Sequence, residues 1–294
     1  MRYAVKIGYD GSLFHGSQRQ GDDDPGSVEG AVNRALKTMG EIDHPRESTV
    51  KFSSRTDSGV SALGNVFAID TDRDPGVLLK ALNANTDGIW CWASGEMREQ
   101  QNPRWATNRW YRYHLPPKGY DVSTISRINE AVLSFMGTHD FRYMSRQDDE
   151  RNTEMTIERA QAYDVSGGGD MVIIDVVGTR FLWNQIRRMV GAATAYSTGD
   201  VTLEDIRSLI DGKTEESAAR NIAERITTAP PHGLILMDVH FKDVDFQIDE
   251  SALEMAIRAA EETAWRSTVK VLLHSALRSL MTGTIPIDRI DGGS

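Results

Sequence analysis

The sequence predicts an α+β fold of antiparallel sheets with helices packed on one side. Three observations lead there. Short segments of period-two alternation recur from Arg2 to Phe241, and most keep one polar face, which a parallel sheet buried on both sides would not. Segments with helical apolar spacing, opened by capping residues and closed by glycine, lie between them. Strands and helices intermix along the chain rather than alternating strictly.

The elements follow in order. Arg2–Tyr9 puts Tyr3, Val5, Ile7 and Tyr9 on one face and Arg2, Ala4 and Lys6 on the other, as a half-buried strand does. Asp22-Asp23-Asp24-Pro25-Gly26 reads as a solvated loop, and Ser27 as the cap of a helix carrying Val28, Ala31, Val32, Ala35, Leu36 and Met39, closed by Gly40. Strands are expected over 49–53 and 65–70, flanking an Arg-Thr-Asp turn. A short helix over 75–83 and a strand over 89–93 complete a first unit. In a second unit, 110–115 reads as a strand ended by Pro116-Pro117, and Ser123 as the cap of a helix with Ile125, Ile128, Val132, Leu133 and Met136. Residues 157–165 and 171–177 suit a hairpin around Gly167-Gly168-Gly169. A helix is expected over 182–196, Thr202-Leu203-Glu204-Asp205 resembles a capping box opening a further helix through Ile210, and 234–241 is a last strand. Both units read as strand, helix, strands, strand, which suits a pair of ferredoxin-like (RRM-like) subdomains, although no clear repeat links them. After Asp243 the character changes to an acidic amphipathic helix over 249–264, a second helical stretch over 269–281 and a Gly-Gly-Ser end. The expected organisation is therefore 1–103, 104–243 and a helical extension over 244–294.

Composition excludes several classes. The 294 residues are 39% hydrophobic and 26% charged, ordinary for a soluble globular protein able to bury a sizeable core. No apolar run is long enough to span a bilayer, and no signal segment opens the chain, so no membrane is expected and a cytoplasmic location is the default. Cys91 is the only cysteine, which rules out a disulfide framework or a cysteine-based metal site. The net charge of −10 argues mildly against a nucleic-acid partner, but the charge is segregated. Arg98 to Lys118 holds five cations and one acid, and Val176 to Gly199 three arginines and no acid, whereas Asp243 to Glu262 holds seven acids against Arg258. That pattern suits a basic binding face on an acidic body, and equally a set of solvated cationic faces.

Three features carry candidate chemistry. In Ser54-Arg55-Thr56-Asp57-Ser58-Gly59-Val60 a tight turn presents the Asp57 carboxylate at a fixed point, where it can be a nucleophile, a general base or a metal ligand. Alone, such a segment is more often only a turn stabilised by its aspartate. No His/Glu cluster with metal spacing, Gly-rich phosphate loop or Ser-His-Asp order surrounds it. Arg109-Trp110-Tyr111-Arg112-Tyr113 puts Arg109, Tyr111 and Tyr113 on one strand face, which suits either base stacking beside phosphates or an aromatic core strand. Arg187-Arg188 lies near the edge of a helix's apolar stripe, where an arginine either snorkels to solvent or pairs with a buried carboxylate.

Taken together, the motifs resemble those of the TruA-type tRNA pseudouridine synthases. The resemblance runs through Tyr9-Asp10-Gly11-Ser12-Leu13-Phe14-His15-Gly16-Ser17-Gln18, the Asp57 turn with Ala62-Leu63-Gly64-Asn65-Val66, and Asn102-Pro103-Arg104 with Arg109–Tyr113. It continues through Gly137-Thr138-His139-Asp140-Phe141, Phe181-Leu182-Trp183-Asn184-Gln185-Ile186-Arg187-Arg188-Met189-Val190-Gly191 and Pro231-His232-Gly233-Leu234-Ile235-Leu236. Each motif is weak alone; six in family order are highly specific. The chain departs at Ser17, where the family usually has Trp, at Ser54, where it has Gly, and at Ser61, where it has His. These positions read as RNA contacts or packing sites. The segment beyond Asp243 has no recognised counterpart.

The resemblance implies a pseudouridine synthase core that isomerises uridine to pseudouridine in the tRNA anticodon stem-loop, at positions 38, 39 and 40, without metal or cofactor. It implies Asp57 as nucleophile on a flipped-out uridine, Tyr111 stacking on the uracil and helping to deprotonate carbon 5, and Arg187 pairing with Asp57. Addition to the base, attack on the sugar carbon and action on the sugar's proton are all open to that aspartate. Arg55 would then face RNA or fill the place of the flipped base, Arg104, Arg109, Arg112 and Arg188 would meet phosphates, and Leu234 and Leu236 would wall the pocket or simply pack the core. A homodimer holding tRNA across a basic cleft is implied as well. Two other readings compete: a non-catalytic RNA-binding module, which needs no buried carboxylate, and a carboxylate-based nucleoside hydrolase, which would want a second acid.

Overall fold

The computed structural model describes residues 1–21, 24, 26–42, 50–146, 152–167 and 169–281, with backbone alone over 266–281. Asp22, Asp23 and Pro25 of the expected acidic loop, Thr49, Gly168 and the Gly-Gly-Ser end lie outside the described residues. The molecule is a mixed α+β protein with a ten-stranded sheet and, among the described residues, seven α-helices.

The first half contains β1 (Arg2–Tyr9), α1 (Val28–Thr38), β2 (Lys51–Phe52), β3 (Ser61–Asp70), α2 (Pro75–Asn85) and β4 (Ile89–Glu96). The second contains β5 (Asn108–His114), α3 (Val122–Leu133), β6 (Gly137–Asp140), β7 (Glu154–Asp164), β8 (Val172–Gly178), α4 (Gln185–Thr198), α5 (Leu203–Ile210), α6 (Glu216–Glu224) and β9 (Leu234–His240). The two-residue β10 (Gln247–Ile248) and the long α7 (Glu250–Met281) follow. Helix starts obey their caps. The Ser27 hydroxyl accepts the Gly30 N–H, the Asp74 carboxylate accepts that of Val77 ahead of Pro75, and Thr202 and Asp205 exchange the two bonds of a capping box. Asp121, rather than Ser123, caps α3 by accepting the Thr124 N–H at 2.7 Å.

The sequence suggested separate antiparallel sheets; the structure has one. Its strand order is β10-β4-β1-β3-β9-β5-β8-β7-β6, with β2 beside β3. Each half therefore keeps its fourth strand beside its first and its third beside its second. Every pairing is antiparallel except β3 with β9, which run parallel for two residue pairs, Ser61–Ile235 and Ala62–Leu236. This short seam joins the halves, and one apolar cluster runs beneath both, from Val32, Leu36 and Leu79 to Val132, Ile174 and Met189.

Strand β1 differs from the half-buried strand expected of its alternation, because Ala4 and Lys6 are buried too. Lys6 ion-pairs with Asp238 on β9, donates to the Val239 carbonyl at 2.7 Å and stands 4.5 Å from the centre of the Phe246 ring. Burial lowers its pKa against the opposing pull of Asp238. Phe241, Val244 and Phe246, in the chain leading from β9 to β10, join the same apolar cluster. The segment after Asp243 is thus tied to the first half. β10 pairs with β4, the Asp249 N–H donates to the Trp92 carbonyl, and Asn83 donates to the Ala252 carbonyl. The two helical stretches expected there form one helix, since no Gly or Pro interrupts residues 264–269. No helix of the described residues is long and apolar enough to cross a membrane.

The seam leaves no room beside Gly64. A β-carbon there would stand 2.8 Å from both the Asp238 carboxylate and the Met237 carbonyl. Gly64→Val is expected to lower the unfolding free energy by about 1–3 kcal/mol through overpacking. Denaturant unfolding checks it, and a midpoint equal to wild type would mean the seam stands open there.

Candidate active site

Asp57 sits on the turn between β2 and β3, and neighbouring chain locks that turn. The Ser17 N–H donates to the Thr56 carbonyl at 3.0 Å, while the Thr56 N–H donates to the Ser17 hydroxyl at 2.8 Å. The Tyr9 and Thr56 hydroxyls lie 2.8 Å apart. Asn65, fully buried on β3, donates to the Ser54 carbonyl at 3.0 Å and to the Tyr9 hydroxyl at 3.2 Å, and accepts from the Ser53 hydroxyl at 3.0 Å. A buried amide so completely used fixes position, because each of its partners would be orphaned by a shift. Burial pushes the Tyr9 phenol up to about 12, so it stays a neutral member of the network. The Val60 N–H closes the turn on the Asp57 carbonyl at 3.1 Å, with Gly59 at a φ of 82° that favours glycine.

Arg187, in the first turn of α4, meets this carboxylate: its Nη1 lies 3.2 Å from Asp57 Oδ2. The guanidinium is itself held, by the Asn184 side-chain oxygen at 2.9 Å and the Ala229 carbonyl at 2.7 Å. Asn184 has a φ of 62°, the only positive value for a non-glycine among the described residues, and this ends the run in from 182 so that α4 begins at Gln185. The Ala229 N–H returns a bond to the Arg187 carbonyl at 3.0 Å. The Arg187 and Asp57 side chains are 16% and 26% exposed. Accessible ion pairs contribute only about 0–1 kcal/mol, so the pair matters for where it puts the carboxylate rather than for stability. Arg55 is exposed, lines the cleft and makes no hydrogen bond or ion pair with its side chain among the described residues.

A cleft of about 740 Å³ opens above the pair. Tyr111 forms part of its wall, with Phe181 edge-on at 5.3 Å and 84°. Burial, ahead of neighbouring charges, drives the Tyr111 phenol pKa well above its usual value. Leu234 lines the cleft. Leu236 is fully buried and does not, so the core reading holds for it. Glu29 also lines the wall, tied to Arg19 by an ion pair and by accepting its backbone N–H. Among the described residues no three His, Cys, Asp or Glu side chains converge as a metal site.

The four arginines expected on phosphates part company. Arg104 is exposed on the cleft wall, and its guanidinium makes no hydrogen bond among the described residues. Arg109 is only 7% exposed and is spent on protein: Nε donates to the Ser54 hydroxyl, Nη1 to the Ala106 and Thr179 carbonyls, and Nη2 to those of Ser53 and Arg104. Arg112 faces the other side of β5, in a two-toothed pair with Asp175 at 2.9 Å that Tyr163 and Trp110 join. Arg188 is partly buried, does not line the cleft and donates to the Ala223 carbonyl at 3.0 Å.

The sequence left Ser17, Ser54 and Ser61 open as RNA contacts or packing sites; in the structure each hydroxyl bonds within the protein framework, and Ser17 and Ser54 also line the cleft. Ser17 holds Thr56, Ser54 accepts from Arg109, and Ser61 accepts the Gly11 N–H at 3.0 Å. The only available signal was that all three departures introduce the same small donor–acceptor side chain beside one turn.

The model of the tRNA pseudouridine synthase family matches residues 131–242. Similar proteins include the tRNA pseudouridine synthase A of Pyrococcus furiosus, 37% identical over 282 residues, covering 95% of this chain and 96% of that protein. The enzyme of the same name from Pyrococcus abyssi is 36% identical over 89% of this chain and 93% of its own length, and that of Methanosarcina barkeri 37% over 83% and 86%. A solved Cbf5-Nop10-Gar1 complex matches 64% of this chain at 11% identity and a TM-score of 0.33. The chain spans 43% of that chain's length, and so loose a likeness carries no argument.

Arg109→Gln should leave one buried carbonyl, that of Ser53, and three partly buried ones, those of Arg104, Ala106 and Thr179, without this donor, an unsatisfied buried acceptor costing about 1–3 kcal/mol. A fall in unfolding free energy on the order of 3 kcal/mol is expected in denaturant titration. A loss under about 0.5 kcal/mol would show that Arg109 does not tie these segments together, since that is the usual range of an uninvolved surface position.

Proposed function

This chain belongs to the tRNA pseudouridine synthase family, so it is an isomerase of uridine in tRNA, and we propose that Asp57 is the nucleophile that starts the reaction on a uridine flipped out of the anticodon stem-loop, at position 38, 39 or 40. The observation that carries this reading is the Asp57–Arg187 pair at 3.2 Å, set in a cleft that also holds Tyr111. The cleft volume falls in the range of about 300–1,000 Å³ that encloses a small-molecule-sized group.

The reaction breaks the bond between N1 of the base and C1′ of the sugar, turns the base and forms a C5–C1′ bond, while the proton on C5 leaves and N1 gains one. Atoms and electrons balance without a redox partner, so no cofactor is required. In this reading Tyr111 stacks on the extruded uracil and Leu234 walls its edge. Burial keeps the Tyr111 phenol neutral near pH 7, so it can accept the C5 proton only as it passes on its own. Arg187 orients the Asp57 carboxylate. Arg55 occupies the place the base leaves, which offsets part of the few kcal/mol that unstacking costs. Arg104 meets phosphate, while Arg109, Arg112 and Arg188 support the walls. The first half, ordered fourth-first-third-second, and the second, ordered the same way once the short edge strand β6 is set aside, are read as ferredoxin-like subdomains over 1–103 and 104–243, with 244–294 as a helical extension. A cytoplasmic homodimer, with tRNA across both copies, completes the proposal. Light scattering at micromolar protein should give twice the chain mass, and a stable monomer would overturn the dimer.

Asp57→Asn should bind a tRNA transcript within about threefold of wild type and form no pseudouridine in carbodiimide mapping. Turnover retained in that variant would remove Asp57 as nucleophile, and free uracil released by the wild type would identify a hydrolase instead. Tyr111→Phe should keep binding and slow product formation by about 10²-fold or more, as loss of a proton-transfer group does. An unchanged rate would limit Tyr111 to stacking.

A further inference from the structure

Beside the cleft stands an aromatic group that the chemistry above does not use. Trp105 is 72% exposed, and among the described residues its ring makes no stacking or cation–π contact. Trp183, which lines the cleft, is by contrast already covered by Arg146, whose guanidinium lies 4.3 Å from the ring centre. An indole left in water is unusual, because burying it is worth several times more than burying a methyl group.

The turn that carries Trp105 is rigid. It is a single 3-10 turn, Pro103–Trp105, with proline at its start, and Asn102 caps it by accepting the Arg104 N–H at 3.0 Å. The Trp105 N–H donates to the Asn102 carbonyl at 2.9 Å. Buried Arg109 then takes the carbonyls on either side of Trp105, Arg104 at 2.8 Å and Ala106 at 3.2 Å. Directly after, the Thr107 N–H donates to the His240 carbonyl at 2.7 Å. The ring is therefore displayed by a turn fixed on both sides, so a ligand stacking on it would pay no loop-ordering cost. Asn102 and Arg104 of this turn line the cleft, and the exposed Arg55 lines it too.

We propose that the 102–106 turn is a second RNA subsite, in which Trp105 stacks on an unpaired nucleobase flanking the target uridine while Arg104 holds the phosphate between them. The inference rests on the RNA-modifying reading of the site given above. The supporting chemistry is the combination: every base offers a flat π-face, an indole is the best side-chain partner for one, and a cation next to it neutralises the backbone that must follow. A second copy of this chain is the other possible occupant of an exposed indole, but an exposed ring beside the exposed, cleft-lining Arg104 and Arg55 suits a polyanion better than the face of an acidic protein with a net charge of −10.

The test uses the full chain and a tRNA transcript at fixed salt, with wild type, Trp105→Ala and Trp105→Phe. Stacking residues contribute roughly fivefold to 150-fold per base when truncated. Trp105→Ala should bind about tenfold more weakly with an unchanged melting temperature and an unchanged slope of log affinity against log salt, and Trp105→Phe should recover most of the loss. Arg104→Gln should instead flatten that slope by about one phosphate. Replacing one flanking nucleotide by an abasic ribose should weaken wild type and leave Trp105→Ala unaffected at that position alone. Trp105→Ala binding within twofold of wild type, or losing affinity equally at every abasic position, overturns the subsite while uridine conversion by the wild type upholds the site itself. A drop in light-scattering mass without loss of RNA affinity assigns Trp105 to a copy of this chain and likewise overturns it. Failure of the wild type to form pseudouridine overturns the underlying reading as well.

Discussion

The site depends on one meeting across the sheet. Asp57 comes from the turn before β3 and Arg187 from the start of α4, on opposite sides of the β3–β9 seam, and they stand 3.2 Å apart. Neither residue can reach that position through local structure. Asp57 is set by Ser17, Thr56 and Asn65; Arg187 is set by Asn184 and Ala229. The parallel seam covers only two residue pairs, so the register of the two halves rests on what surrounds it: the pair that buried Lys6 makes with Asp238 and the close approach of Gly64 to β9. A shift of one residue there would move every side chain to the other face, and the carboxylate would lose its partner.

Buried polar groups do the aligning. Asn65 and Arg109 are enclosed, and they connect the strands to the Asp57 turn and to the 102–106 turn. Apolar contacts tolerate small slips, because their attraction is non-directional. Hydrogen bonds in a dry interior do not, since each misplaced donor forfeits about 1–3 kcal/mol. An arginine on protein carbonyls is thus a geometric device, and it leaves the solvent-facing work to Arg55 and Arg104.

Much of this was legible in sequence, for reasons that can be stated. Amphipathic segments with clear caps, such as Ser27 before α1 and the Thr202–Asp205 box before α5, report themselves locally. The Asp57 turn, Tyr111 and Arg187 were found because several motifs occur together. What sequence did not show was long-range. The β3–β9 pairing leaves no local pattern, β6 and β10 are too short for periodicity, and α6 opens with a Glu215 cap that resembles ordinary loop. Period-two alternation separates Arg109 from Arg112 by face, yet only the structure distinguishes an arginine sunk among carbonyls from one facing a cleft. The start of α4 was placed too early because a non-glycine at positive φ, here Asn184, has no sequence signature.

The central claim is that Arg187 aligns the Asp57 carboxylate for chemistry and does not serve chiefly to bind RNA. Single-turnover pseudouridine formation, measured alongside tRNA affinity in Arg187→Met, tests it most directly. The account predicts affinity within about threefold of wild type and a rate lower by about 10²–10³, the usual effect of removing one preorganised electrostatic partner. A variant that reacts at the wild-type rate once saturated with tRNA, its defect confined to binding, would contradict it.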